Sequence, residues 1–140
     1  MSKAFLIDTS ACNRLFRLPG VEREWAQVLD AGRVSVCEVT ELELVRAAGG
    51  REERALLDRY LHDAFGWTPA PERTLLRARQ VQELLVTSGQ HHGPGAVDLM
   101  VAATAELSGL VLLHYDADFE AIAKATGQPH RWIAPRGSVD

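Results

Sequence analysis

Lysine, cysteine, long apolar runs and any excess of positive charge are all scarce in this chain. No apolar stretch approaches the roughly 20 residues that a bilayer-spanning helix needs. Met1-Ser2-Lys3 leads straight into an expected strand with no signal-peptide pattern. The expectation is a cytoplasmic protein with no membrane association. The two cysteines, Cys12 and Cys37, have neither CxxC spacing nor a nearby Cys/His set, so both are expected to be reduced and buried. A net charge of −4 argues against a broad basic face. It does not exclude nucleic acid, because acids gathered at a metal site bias the count. Of the 15 basic residues only Lys3 and Lys124 are lysines. The arginines suit bidentate phosphate contacts, but the same bias follows equally well from genome composition. HExxH, P-loop, GxGxxG and G-x-S-x-G motifs are all missing. With no repeat, low-complexity tract or linker, residues 1–140 are expected to form a single domain large enough for a proper core.

What is present is more telling. Two short apolar runs end in aspartate. Ala4-Phe5-Leu6-Ile7 is closed by Asp8, and Leu110-Val111-Leu112-Leu113 is followed by His114, Tyr115 and Asp116. Continuous apolar runs of this length, each followed by helix-start residues, predict buried parallel strands that feed helices. In open α/β sheets chemistry sits beyond the carboxyl ends of the strands, which places both carboxylates at one crevice. Two close acids resist ionising together unless a cation joins them, so the pattern points to a hard-metal site.

The rest of the chain alternates in the same way. After a first strand over 3–7, a helix capped by Thr9 or Ser10 is expected to reach Arg17, and Pro19-Gly20 breaks the chain before a helix over 22–29. A strand over 34–39 follows. Thr40 is the expected cap of a helix over 41–48 that stops at Gly49-Gly50. Helices are expected over 51–64 and 72–86, with a connector over 66–71 between them. A polar, glycine-rich loop over 88–95 precedes a helix over 94–107 that carries Pro94 in its first turn. A helix capped by Asp116 or Asp118 runs to Ala125 and ends at Gly127, and Trp132-Ile133 adds a last short strand. This alternation predicts an α/β fold, a parallel sheet covered by helices on both faces.

Asp98 is the strongest single clue, because it is the only charge between Pro94 and Ala105 in a helix that is apolar nearly all round. A buried carboxylate there needs a partner, a cation or a proton, unless it merely favours the dipole of the first helical turn. Glu43 has a strong local alternative. Thr40-Glu41-Leu42-Glu43 fits a capping box, in which Glu43 reaches back to the Thr40 amide. Its placement after a strand keeps it a site candidate, with Glu41 and Glu38 as solvated neighbours. Only one of Asp116 and Asp118 caps the helix that follows, which frees the other. Asp8 has few structural roles if Thr9 or Ser10 caps the next helix. Among the histidines, His91-His92 read as a solvated loop pair, His114 as a satisfied strand-end residue near Asp116, and His130 with Trp132 as C-terminal packing.

Taken together, four segments resemble the acidic motifs of PIN-domain ribonucleases: Leu6-Ile7-Asp8-Thr9-Ser10-Ala11, Val39-Thr40-Glu41-Leu42-Glu43-Leu44, Asp98-Leu99-Met100-Val101-Ala102-Ala103-Thr104-Ala105 and Leu112-Leu113-His114-Tyr115-Asp116-Ala117-Asp118-Phe119. Each motif is short, but the four occur in order across nearly the whole chain. Within that family the chain looks most like VapC toxins of bacterial type II toxin–antitoxin modules, particularly the actinobacterial kind. One departure is His114, where many members carry Thr or Ser.

The resemblance implies a sheet of four or five parallel strands in a single PIN-like domain. It implies Mg²⁺ or Mn²⁺ held by Asp8, Asp98, Asp116 and possibly Asp118, with Glu43 orienting or deprotonating the attacking water. It also implies an RNA substrate, a homodimer and a VapB-type antitoxin partner. All-oxygen ligation suits hard divalent ions. Two alternatives remain: a receiver-like phospho-acceptor domain and a non-catalytic PIN-like binding domain. The first wants a lysine beyond a late strand, and Lys124 falls late in a helix. The second is disfavoured by intact acids at all four motifs. A haloacid-dehalogenase-like phosphatase wants Asp-x-Asp after the first strand, and position 10 is serine.

Overall fold

Each apolar run becomes a short strand at the centre of the molecule, and each is too buried to tolerate a polar face. A computed structural model describes residues 3–140, so the expectation about Met1 and Ser2 lies outside the described residues. In chain order the elements are β1 (Phe5–Ile7), α1 (Thr9–Arg17), α2 (Pro19–Asp30), β2 (Val34–Val36), α3 (Glu38–Ala47), α4 (Arg51–Ala64), β3 (Gly66–Trp67), α5 (Thr74–Thr87), α6 (Ala96–Leu107), β4 (Val111–His114), α7 (Ala117–Thr126) and β5 (His130–Trp132). The strands form one five-stranded sheet in the order β3-β2-β1-β4-β5, with every pair parallel.

The chain starts in the middle of the sheet. It builds outward to β3, returns, and builds outward again through β4 and β5. The order therefore reverses between β1 and β4, whose registers pair Phe5 with Val111 and Ile7 with Leu113. Such a switch point leaves a crevice at the carboxyl edge, where diverging connections do not cover it.

Strand side chains alternate between two cores. Phe5, Ile7, Val34, Val36 and Leu113 pack on one face with Ala11, Leu15, Val21, Trp25 and Leu61. Leu6 and Leu112 pack on the other with Val81, Leu85, Leu99, Phe119 and Ile122. α6 buries Leu99 and Val101 through Ala105, as expected for a helix that is apolar nearly all round.

Several boundaries differ from the sequence reading, each for a local reason. Pro19 opens α2 instead of breaking the chain before it, because a helix's first turn needs no proline N–H. β2 stops at Val36 and α3 begins at Glu38, so Thr40 lies inside the helix and is fully buried. Gly66-Trp67, expected as connector, adds β3 beside β2, with Ser35 opposite Gly66. α6 starts at Ala96, after Pro94 rather than on it. β5 covers His130–Trp132, two residues earlier than the expected Trp132-Ile133. Both cysteines are free and buried, as expected.

Candidate active site

Asp8 leaves β1 and immediately caps α1. Its Oδ1 accepts the Ala11 N–H at 3.0 Å, and the Ser10 hydroxyl donates to both carboxylate oxygens at 2.7 and 2.9 Å. This corrects the expectation that Thr9 or Ser10 is the cap and that Asp8 is structurally idle. Asp8 is only 5% exposed. Burial pushes its carboxyl up to about 6 from an ordinary 3.8, against the hydrogen bonds from Ala11 and Ser10, and the charge of Asp98 adds to the rise.

With Asp8 as the cap, both hydroxyls are free for other work. The Thr9 hydroxyl donates to Glu43 Oε1 at 2.6 Å, joining α1 to α3. Ser10 Oγ also accepts the Tyr115 N–H at 2.8 Å, joining the ends of β1 and β4. The capping box at Thr40 does not form, because α3 starts earlier, with Cys37 as its cap. Glu43 is thereby turned towards Thr9 instead of back to the Thr40 amide.

Asp98 is in the first turn of α6, and its Oδ2 accepts the Gly95 N–H at 3.1 Å. Asp98 thus does occupy the first helical turn, where its charge favours the dipole and its oxygen takes a free N–H. This role does not account for the electrostatics. Burial lifts the Asp98 carboxyl to about 6 despite the Gly95 bond, and the charges of Asp116, Asp118 and Glu43 all push it further up. Asp116 caps α7 and accepts the Asp118 N–H at 2.9 Å. Asp118 is the spare acid of the pair, and burial, then the Asp116 charge, raise its pKa. The loop before α6 passes tightly beside it: a Cβ on Gly93 would lie 2.9 Å from an Asp118 carboxylate oxygen.

All five acids named from sequence are thus coupled, with Asp98 feeling each of the other four or being felt by it. Glu38 of α3 is exposed and joins none of these interactions. Ion pairs join Arg54 to Asp58, Arg77 to Glu106 and Arg136 to Glu120, so among the described residues no arginine or lysine is paired with any of the five. Among the same residues, no three His, Cys, Asp or Glu side chains stand close enough to form a ready-made cage. The chemistry of the donor set nevertheless fits a hard divalent cation: carboxylate oxygens only, mutually repelling and without a basic partner.

Sequence reasoning missed the hydroxyl partners and the ring pair behind the site. Thr9 and Ser10, the expected caps, instead reach Glu43 and the Tyr115 amide. His114 is fully buried, and its Nε2 lies 2.9 Å from His130 Nδ1. Burial and the neighbouring His130 lower its pKa to about 3, so the ring is neutral. His91 and His92 stack on each other at 4.0 Å between ring centroids.

The PIN-domain profile matches residues 5–125. Ribonuclease VapC21 of Mycobacterium tuberculosis is 36% identical over 139 residues, covering 99% of this chain and 100% of the relative. Ribonuclease VapC18 of the same organism is 39% identical over 137 residues, covering 96% and 98%. Among solved structures, the DNA-bound VapBC of Salmonella typhimurium superposes with a TM-score of 0.79 at 20% identity, covering 95% of this chain and all of that one. These matches identify the fold as that of a PIN domain. The chain belongs to that family and, within it, to the VapC ribonucleases.

Proposed function

We propose that this protein is a metal-dependent endoribonuclease, the toxin of a type II toxin–antitoxin module acting in the cytoplasm, and that Asp8, Glu43, Asp98, Asp116 and Asp118 form its centre. The observation that carries the reading is a set of five coupled carboxylates about the switch point, none of them in an ion pair with arginine or lysine among the described residues, with burial pushing Asp8 and Asp98 both up to about 6. Near-full-length identity to ribonucleases named VapC supports the substrate class.

In this reading Asp8, Asp98 and Asp116 would hold Mg²⁺ or Mn²⁺, with Asp118 as a further ligand. A bound divalent ion would supply charge neutralisation at the scissile phosphate. Glu43 acts on the attacking water. Thr9 occupies its Oε1 and so aims the other oxygen at the proton to be accepted. Ser10 ties Asp8 to the Tyr115 amide and so keeps the β1 and β4 carboxylates at one distance.

A VapB-type antitoxin and a second copy of the chain are the proposed protein partners. Solved VapBC complexes share the fold. In addition, Leu56 on α4 and Leu75, Leu76 and Leu84 on α5 are all more than 40% exposed. Co-expression with a cognate VapB-type antitoxin is expected to relieve growth arrest, and toxicity unchanged with both proteins present contradicts the pairing.

The direct test is cleavage of RNA by the purified chain. Cleavage is expected with Mg²⁺ or Mn²⁺, with no nucleotide cofactor, and is expected to stop in EDTA. Undiminished cleavage in excess chelator contradicts the metal reading. RNA binding without cleavage in either metal contradicts the enzyme reading in favour of a binding domain.

A further inference from the structure

His114 ends β4, two residues ahead of Asp116, and its ring is sealed from solvent. It packs 5.3 Å from Phe119, 5.2 Å from His130 and 4.9 Å from Trp132, centroid to centroid. An apolar ring would fill this space without the cost of desolvating imidazole nitrogens. What imidazole adds is an acceptor. The Asp116 backbone N–H donates to His114 Nδ1 at 3.2 Å.

That bond fixes the tautomers on both rings. A neutral ring that accepts at Nδ1 carries its proton on Nε2. His114 Nε2–H therefore donates to His130 Nδ1, 2.9 Å away, and His130 carries its own proton on Nε2. The His114 backbone is pinned as well, since the Ile133 N–H donates to its carbonyl at 2.9 Å. From this anchored point the chain reaches Asp116 in an extended conformation, and there the carboxylate takes the Asp118 N–H.

We propose that His114 is a positioning residue for the centre: its Nδ1, kept in the acceptor tautomer by His130, fixes the Asp116 backbone and with it the direction of the Asp116 carboxylate. This rests on Asp116 being a metal ligand, so the test separates the two ideas. Long-range ¹H–¹⁵N NMR of the metal-free wild type reads the tautomers directly. A bare Nδ1 and a protonated Nε2 on His114 are expected, together with an Asp116 amide protected from exchange. A proton on Nδ1, or a freely exchanging Asp116 amide, overturns the proposal whether or not any variant folds.

Three variants then ask whether the acceptor matters. His114→Asn places its Oδ1 near the position of Nδ1, His114→Gln reaches the position of Nε2, and His114→Leu only fills the space. Mn²⁺ binding is followed by electron paramagnetic resonance, with a melting curve for each protein. His114→Asn is expected to stay within about threefold of wild type, and the other two to lose roughly tenfold to a hundredfold, as when a group that orients a ligand is removed. Equal Mn²⁺ affinity in all four folded proteins overturns the proposal. Wild type that binds no Mn²⁺ overturns the metal reading of the site, and the tautomers and the amide still decide whether His114 holds Asp116.

Discussion

Thr9 donates its hydroxyl to Glu43, and Ser10 donates to both oxygens of Asp8 while accepting the Tyr115 amide. Hydroxyls therefore hold the first two motif acids, and among the described residues no arginine or lysine pairs with either. A hydroxyl directs a carboxylate without neutralising it, which leaves the charge for a metal. Thr9→Val keeps the shape and removes the donor. A hydrogen bond to a charged group contributes ~1.5–3 kcal/mol, so Thr9→Val is expected to lower kcat about tenfold if the bond serves to aim Glu43. KM should change little, and the melting temperature should fall by a few degrees at most. Steady-state cleavage kinetics beside a melting curve check this, and an unchanged kcat removes Glu43's orientation from the mechanism.

At the scale of elements, the short strands rely on their coverings. α2 lays Trp25 against Phe5, edge to face at 5.3 Å, and its indole N–H donates to the Ile133 carbonyl at 2.8 Å, just beyond β5. Trp25→Phe leaves that buried carbonyl unpaired and is expected to cost about 1–3 kcal/mol of stability. The melting temperature should fall by several degrees while cleavage per folded molecule stays the same. Loss of activity beyond the unfolded fraction contradicts a purely structural role. The apolar runs that become β1 and β4 were legible because full burial on both faces leaves no alternation to misread. β3 was not, because Gly66-Trp67 is too short for any pattern and is a strand only through its pairing with Ser35 and Val36. The start of α3 was misplaced because Thr40 looks like a cap, and only its burial within the helix shows otherwise. Asp8 and Asp116 were legible as strand-end acids, and the resemblance named the other three that the structure couples to them. Their partners were not, since which hydroxyl caps and which reaches another helix depends on tertiary contacts. The departure at His114 was visible, but its link to His130 is made across two strands.

For the molecule as a whole, stability is linked to protons and to metal through the same acids. Asp8 and Asp98 titrate near 6 when folded, against 3.8 ordinarily. Their raised values mean a cost fully present above pH 6 in the metal-free protein, fading as pH falls towards 3.8. His114 works in the opposite sense. Held at about 3 against 6.5, it contributes stability that is lost as pH falls below 6.5. The wild-type pH curve therefore mixes two opposed effects, and Asp98→Asn isolates one of them, because Asn keeps an acceptor for the Gly95 N–H. The measurement that bears most directly on the metal centre is thermal unfolding of wild type and Asp98→Asn, in EDTA and in excess Mn²⁺, from about pH 7.5 down to about pH 4.5. In EDTA at the upper pH the variant should melt at or above wild type, with the gap narrowing as the pH falls. A ligand at a hundred times its Kd stabilises by about 2.7 kcal/mol, so Mn²⁺ should raise the wild-type melting temperature by several degrees and that of the variant much less, with RNA cleavage abolished in the variant. A variant that is far less stable than wild type in EDTA, yet gains the full stabilisation from Mn²⁺, would show that Asp98 is a structural carboxylate and not part of a metal centre.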